Sequence, residues 1–232
     1  IYQLEPFRLS GFEALARWNH PVFGAVAPDT FIPIAEETGL IIELTDLVLR
    51  RACTQLRQWQ RRAPVLEHLR LQVNLSGNDV SHLRLPERVQ DALRDAGLAP
   101  SALTLELTEN ILMQRLEGAM ESIARLRAMG VSLAIDDFGT GYSSLSYLTM
   151  LPISELKIDR SFVSNLGLTR QSAAVVTTII ALARALDLRV IAEGVETLRQ
   201  QMELHRLGCE IMQGFLFSRA IPEAILMFLL RV

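Results

Sequence analysis

Along this chain, short apolar or alternating runs recur, each followed by a longer stretch in which apolar residues return every three or four positions. A period of two marks a strand and a period near 3.6 marks a helix. On that basis strands are predicted at Gly11–Trp18, Leu69–Leu75, Leu103–Leu107, Ser132–Asp136, Glu155–Ile158, Arg189–Ala192 and Glu210–Leu216, with a further first strand around Ile1–Gln3. Helices are predicted at Phe31–Glu37, Ile42–Arg62, Pro86–Ala96, Leu116–Met129, Ser144–Met150, Gln171–Leu186, Leu198–Leu207 and Pro222–Leu230. Boundary signals agree: Thr197 and Gln200 have capping-box spacing, Pro222 suits a first helical turn, and Gly97, Gly130 and Gly208 follow helix ends. About eight βα units with no linker dividing them predict a single α/β domain over residues 1–232, a closed TIM-like (β/α)8 barrel. An open doubly wound sheet is the alternative.

Composition narrows the class. Half of the 232 residues are hydrophobic, which suits one large core, and a formal net charge of −3 excludes broad electrostatic attraction to a nucleic acid polymer or an anionic membrane. Cys53 and Cys209 form no C-x-x-C pattern and read as reduced packing residues in a cytoplasmic compartment. No apolar run reaches the roughly 20 residues of a membrane-spanning helix, so no membrane contact is expected of this segment. The opening Ile1-Tyr2-Gln3 has no start methionine and reads as a strand. The chain is therefore expected to be a piece of a longer protein with upstream regulatory domains, compatible with anchoring at the inner membrane.

Candidate chemistry gathers where the strands end. The run Val131–Ile135 stops at two adjacent carboxylates, Asp136 and Asp137, followed by the loop Phe138-Gly139-Thr140-Gly141-Tyr142. Paired acids at the edge of a core call for a cation, and a divalent metal is the natural one. Glu13 and Arg17, Asn74, Glu106 and Glu109, Lys157 and Asp159, Glu193 and Glu196, and Gln213 hold the corresponding positions on other strands. In a parallel barrel those ends converge on one face, where such barrels place their active sites. Carboxylates with the Asn74 amide form a hard oxygen shell, and His20, His68, His82 and His205 show no zinc-ligand spacing, so Mg2+ or Mn2+ is favoured. With so many acids, two ions sharing an aspartate would suit displacement at phosphorus.

Lys157 is the only lysine beside 22 arginines, and a compact ammonium there can orient a water where a broad guanidinium cannot. Lys157→Arg is accordingly expected to harm turnover far more than folding. Asp137-Phe138-Gly139 has no accompanying kinase catalytic loop, and Gly139-x-Gly141 extends to neither a dinucleotide fingerprint nor a P-loop.

Taken together these segments resemble the EAL domain family, bacterial phosphodiesterases of cyclic di-GMP. The matching residues are Gly11-Phe-Glu13-Ala14-Leu15-Ala-Arg17-Trp18 with His20-Pro21, Phe31-Ile-Pro33-Ile-Ala35-Glu36, Asn74-Leu75-Ser76, Glu106-Leu-Thr108-Glu109, Asp136 through Leu145, Leu156-Lys157-Ile-Asp159, Ala192-Glu193-Gly194-Val195-Glu196-Thr197 and Gln213-Gly214. The resemblance implies a barrel with an antiparallel first strand, two Mg2+ or Mn2+ ions, and hydrolysis of cyclic di-GMP to linear pGpG. By motif, Glu13, Asn74, Glu106, Asp136 and Asp137 are implied metal ligands. Glu193 is the implied base or partner of the attacking water, with Lys157 as its orienting cation and Glu13 beside them. Gln3, Leu15, Arg17, Asp159 and Gln213 are implied substrate positions, and Glu109 and Glu196 supports of the glycine loop, which in this family lies between the site and a homodimer interface.

The chain departs from the family at its start. The family opens Tyr-Gln-Pro with a longer run before the glycine that precedes the glutamate, whereas here Leu4 follows Gln3 and Gly11 comes early. Either the turn is shortened or residues are missing between Gln3 and Leu4. Glu210 stands where Asp is common, and Ala220 where Pro is. Two other functional classes are open from sequence: a catalytically silent cyclic di-GMP receptor, which would be expected to lose such acids, and a dimerising scaffold, which leaves the acids unexplained.

Overall fold

The computed structural model describes residues 1–141, 145–167, 170–222 and 225–226. Its strands are β1 Tyr2–Gln3, β2 Arg8–Leu9, β3 Gly11–Ala14, β4 Trp18–His20, β5 Gly24–Val26, β6 Arg70–Asn74, β7 Leu103–Thr108, β8 Ser132–Phe138, β9 Glu155–Ile158, β10 Arg189–Ala192 and β11 Ile211–Met212. The helices are α1 Pro28–Thr38, α2 Ile41–Arg62, α3 Gly77–Val80, α4 Leu85–Ala96, α5 Glu109–Ala128, α6 Leu145–Met150, α7 Arg160–Ser164, α8 Arg170–Ala185 and α9 Leu198–Arg206.

Strands β3, β6, β7, β8, β9, β10 and β11 follow one another in parallel, and β1 pairs antiparallel with β11 and with β2. Residues Arg8–Ala14 run as one strand bent at Ser10, with β2 on β1 and β3 on β6. Ile1 exchanges backbone bonds with Gly11, its N–H donating at 3.0 Å, so the sheet closes into a barrel of eight staves, the first antiparallel. β4 and β5 form a separate hairpin outside it.

The strands alternate in a consistent phase. Leu71, Val73, Leu103, Leu105, Leu107, Leu133, Ile135, Leu156 and Ile158 are buried in the hydrophobic core, and Phe12 meets Trp59 of α2 edge-on at 5.0 Å. Of the intervening residues, Gln72 and Thr104 bond to Glu155, and Glu106 to Lys157, between non-neighbouring strands, while Asp136 meets Lys157 from the adjacent strand. The barrel interior is thus polar, while apolar burial lies between sheet and helices.

That interior has a lower layer. Glu155 accepts from Gln72 Nε2 and Thr104 Oγ1, both at 3.1 Å, and pairs with Arg189, joining β6, β7, β9 and β10. Truncating Glu155 strands a guanidinium and two buried donors. Glu155→Ala is expected to destabilise the fold by about 3 kcal/mol, read by urea denaturation; a loss within error would show the layer to be idle.

Several predicted boundaries shift. The strand expected at Gly11–Trp18 stops at Ala14, and that at Glu210–Leu216 keeps ladder pairing only at Ile211–Met212. The helix expected from Leu116 starts at Glu109, because Thr108 caps it by accepting from the Ile111 N–H at 3.4 Å and an acid suits the first turn. Short α3, capped reciprocally by Ser76 and Asp79, and short α7 were not anticipated. The expected helix Pro222–Leu230 falls mostly outside the described residues, as do Tyr142 and Ser144. Among the described residues no helix is long and apolar enough to cross a membrane.

Candidate active site

At the carboxyl end of the parallel strands, Lys157 rises from β9 into the barrel and is fully buried. Its ammonium lies 2.7 Å from Glu193, 2.9 Å from Glu106, 3.3 Å from Asp136 and 3.9 Å from Glu13. Burial works to lower the ammonium's pKa, but these four carboxylates outweigh it and hold the group well above the usual lysine value. Glu13 is fixed by two amides, Asn74 Nδ2 at 2.8 Å and Gln213 Nε2. Five residues from β3, β6, β7, β8 and β9 and the two that directly follow β10 and β11 meet here because these strands share one phase and one direction.

Negative charge is in excess. Glu106 is fully buried, and apart from the Lys157 ammonium its oxygens meet no donor among the described residues. Burial pushes its pKa up, only partly offset by Lys157. Asp137, one residue past Asp136, adopts a left-handed backbone (φ 54°), an uncommon conformation for a residue with a side chain. Its pKa is raised to about 6 by burial, then by the Asp136 and Asp159 carboxylates. Glu193 is raised to about 7, first by burial. Oxygens of Asp136, Asp137 and Glu193 lie within 4.8 Å of one another. A buried carboxylate whose oxygens meet no donor among the described residues beyond one ammonium, with two acids that ionise reluctantly, fits a divalent cation, and the all-oxygen donor set fits a hard one.

The cation-free protein carries a pH signature. Raised carboxyl pKa values mean that the folded state binds these protons more tightly than the unfolded chain. The resulting stabilisation is present below the ordinary carboxyl values and is lost as pH rises through about 6 and 7, the folded values of Asp137 and Glu193. In chelator, the melting temperature is expected to fall between about pH 5 and about pH 8, and Mn2+ to flatten that fall. A melting temperature that keeps rising with pH in chelator would contradict this.

The remaining candidates divide. Asp159 caps α7 by accepting from the Ser161 N–H at 2.9 Å and also shares a hydrogen bond with Asp137, so it sits at the site's edge. Glu109 accepts from the Gly139 N–H at 3.0 Å, linking the start of α5 to the glycine loop. Gly139 has φ 95°, and a Cβ there would stand 2.9 Å from Phe162. Glu196 is exposed, and its backbone N–H goes to Gln200; among the described residues its carboxylate is not brought onto that loop. Leu15 and Arg17 are exposed on the rim beyond Glu13, with the Arg17 guanidinium on the Ala16 carbonyl.

Gln3 lies apart from the acids. It pairs with Arg8, five residues before Glu13 on the adjoining strand and so about 15 Å down the barrel. Its amide is engaged by Arg8 and the Glu5 carbonyl in the four-residue turn of the first hairpin. An antiparallel first strand leads away from the mouth, so a glutamine at its end cannot join the acids. The lower layer was also missed, although its signal was visible: Gln72, Thr104 and Glu155 each stand two residues before a site residue, in the same phase.

The EAL domain model matches residues 1–220, and the chain belongs to the EAL domain family. The bifunctional diguanylate cyclase/cyclic di-GMP phosphodiesterase MucR of Pseudomonas aeruginosa is 47% identical over 212 residues, 91% of this chain and 31% of MucR. The cyclic di-GMP phosphodiesterase NbdA of the same organism is 47% identical over 219 residues, 94% of this chain and 28% of NbdA. This chain therefore spans under a third of either relative. The solved structure of the P. aeruginosa MucR phosphodiesterase in complex with c-di-GMP superposes with a TM-score of 0.89 at 46% identity, covering 94% of this chain and 88% of that one.

Proposed function

We propose that this domain is a metal-dependent phosphodiesterase that hydrolyses cyclic di-GMP to linear 5'-pGpG. The observation that carries the reading is the buried excess of carboxylate around one lysine at the barrel mouth. Glu13, Asn74, Glu106 and Asp136 would hold one Mg2+ or Mn2+ ion, and Asp136 with Asp137 a second, next to Glu193. Ions bound there supply Lewis-acid polarisation of the phosphoryl oxygens and make water more acidic.

The chain's own groups do the rest. Glu193 takes the proton of the attacking water, whose oxygen bonds to phosphorus as the bond to the 3' oxygen breaks, and the freed 3' oxygen takes up a proton. Lys157, at 2.7 Å from Glu193, orients that carboxylate and the water and offsets developing charge. Asn74 and Gln213 hold Glu13 in place. Arg17 and the backbone at Leu15 lie on the rim where a dinucleotide arrives. The likeness to MucR and NbdA in sequence supports the substrate assignment.

We also read the chain as one domain of a longer cytoplasmic signalling protein that works as a homodimer, the Glu109-linked glycine loop coupling site and interface. Incubation with cyclic di-GMP and Mn2+ followed by nucleotide chromatography tests the activity. Appearance of pGpG, abolished by chelator, is expected; bound but uncleaved nucleotide would replace the enzyme with a receptor.

A further inference from the structure

The loop after β11 carries a feature that the acids do not use. Gln213 leaves the strand with its N–H on the Ala192 carbonyl and its amide on Glu13. Gly214 then passes so close to Val195 that a Cβ would stand 2.2 Å from that residue's carbonyl oxygen. The Val195 N–H bonds to the Gln213 carbonyl and the Leu216 N–H to the Val195 carbonyl, both at 3.0 Å, while the Phe217 and Ser218 N–H groups close back on Gly214 at 3.1 and 3.2 Å. The backbone on both sides of Phe215 is therefore fixed, yet Phe215 is 55% exposed.

A large ring held in water on a rigid loop forgoes the burial that an inward turn would provide. The Arg219 guanidinium carbon lies 4.2 Å from the ring centroid, covering one face and bringing a positive charge beside it. The loop flanks the Glu193–Val195 segment, and the Gln213–Glu13 bond ties it to the rim on which Leu15 and Arg17 are exposed.

We propose that Phe215, backed by Arg219, is a nucleobase platform that sets the specificity of the site. A base stacks on the open face of the ring, and the guanidinium stands beside the flanking phosphate. Stacking on an aromatic tolerates any base but gives nothing to a phosphodiester that lacks one. The inference rests on the phosphodiesterase reading and goes beyond it by adding a residue that grips the base and not the scissile phosphate.

The test compares Phe215→Ala, Phe215→Leu and Phe215→Tyr with the parent domain on cyclic di-GMP and on the base-free ester methyl p-nitrophenyl phosphate, alongside calorimetric binding of cyclic di-GMP in Ca2+. The Ala and Leu variants are expected to raise KM for cyclic di-GMP about tenfold or more, with a much smaller change in kcat, and Tyr to restore it. The ratio of kcat/KM between the two substrates should fall by a similar factor. Parent-like KM in Phe215→Ala, or an equal loss on both substrates, overturns the platform while leaving the phosphodiesterase reading intact. A parent domain that binds without turnover, with binding weakened in Phe215→Ala, overturns the enzyme reading and supports the platform; a parent that neither binds nor cleaves overturns both.

Discussion

Glu106→Gln is expected to eliminate cyclic di-GMP turnover, by on the order of a thousandfold or more, while leaving the cation-free fold as stable as the parent or more so. The two effects have one cause. Glu106 is fully buried among Glu13 and Asp136, with only Lys157 as a donor among the described residues. Its ionised form is disfavoured by burial more than Lys157 favours it, so a neutral isostere relieves the folded state. Without a charged donor at that position the site should no longer hold its full complement of cations. Melting in chelator and nucleotide chromatography in Mn2+ read the two halves separately. Near-parent turnover would remove Glu106 from the proposed shell, and a large drop in melting temperature would show that its charge stabilises the fold.

Lys157→Met should act with the opposite sign on stability. Removing the cation that serves four carboxylates among the described residues leaves uncompensated buried charge, which typically costs about 3–5 kcal/mol. Added Mn2+ is expected to recover part of that loss, since ions supply the missing positive charge, but turnover should stay absent because nothing orients Glu193. Lys157→Arg, expected from sequence to harm turnover far more than folding, carries a definite folding cost as well: a guanidinium must enter a fully buried position already packed at 2.7 to 3.9 Å from its partners, an overpacking cost of about 1–3 kcal/mol. Denaturation with and without Mn2+ measures both. A Met variant as stable as the parent in chelator would mean that the acids are protonated and need no partner.

The contrast between Glu106 and Lys157 also shows how legible the site was. Asp136, Asp137 and Glu193 could be singled out in the sequence because they follow apolar runs whose ends a barrel brings to one face, and Lys157 because it is the only lysine in the chain. The central place of Lys157 could not, since it depends on how far four side chains on other strands reach toward the axis. Gln3 shows the same limit from the other side: the motif letters were present, but five residues of strand separate its level from Glu13. Phe215 gave no signal at all, because an apolar residue near a strand end looks like core until its exposure is known.

What the sequence by itself determined is the barrel class, the polar phase of the strands and the oxygen-rich donor set, because these follow from period-two alternation and residue chemistry, which are local. Strand ends, the antiparallel descent of β1, the lower Glu155 layer and the distances around Lys157 were decided only by tertiary structure. Those depend on sheet closure and register, which couple residues at the two ends of the chain, as in the Tyr2–Met212 pairing and the Gln213–Glu13 bond across 200 positions.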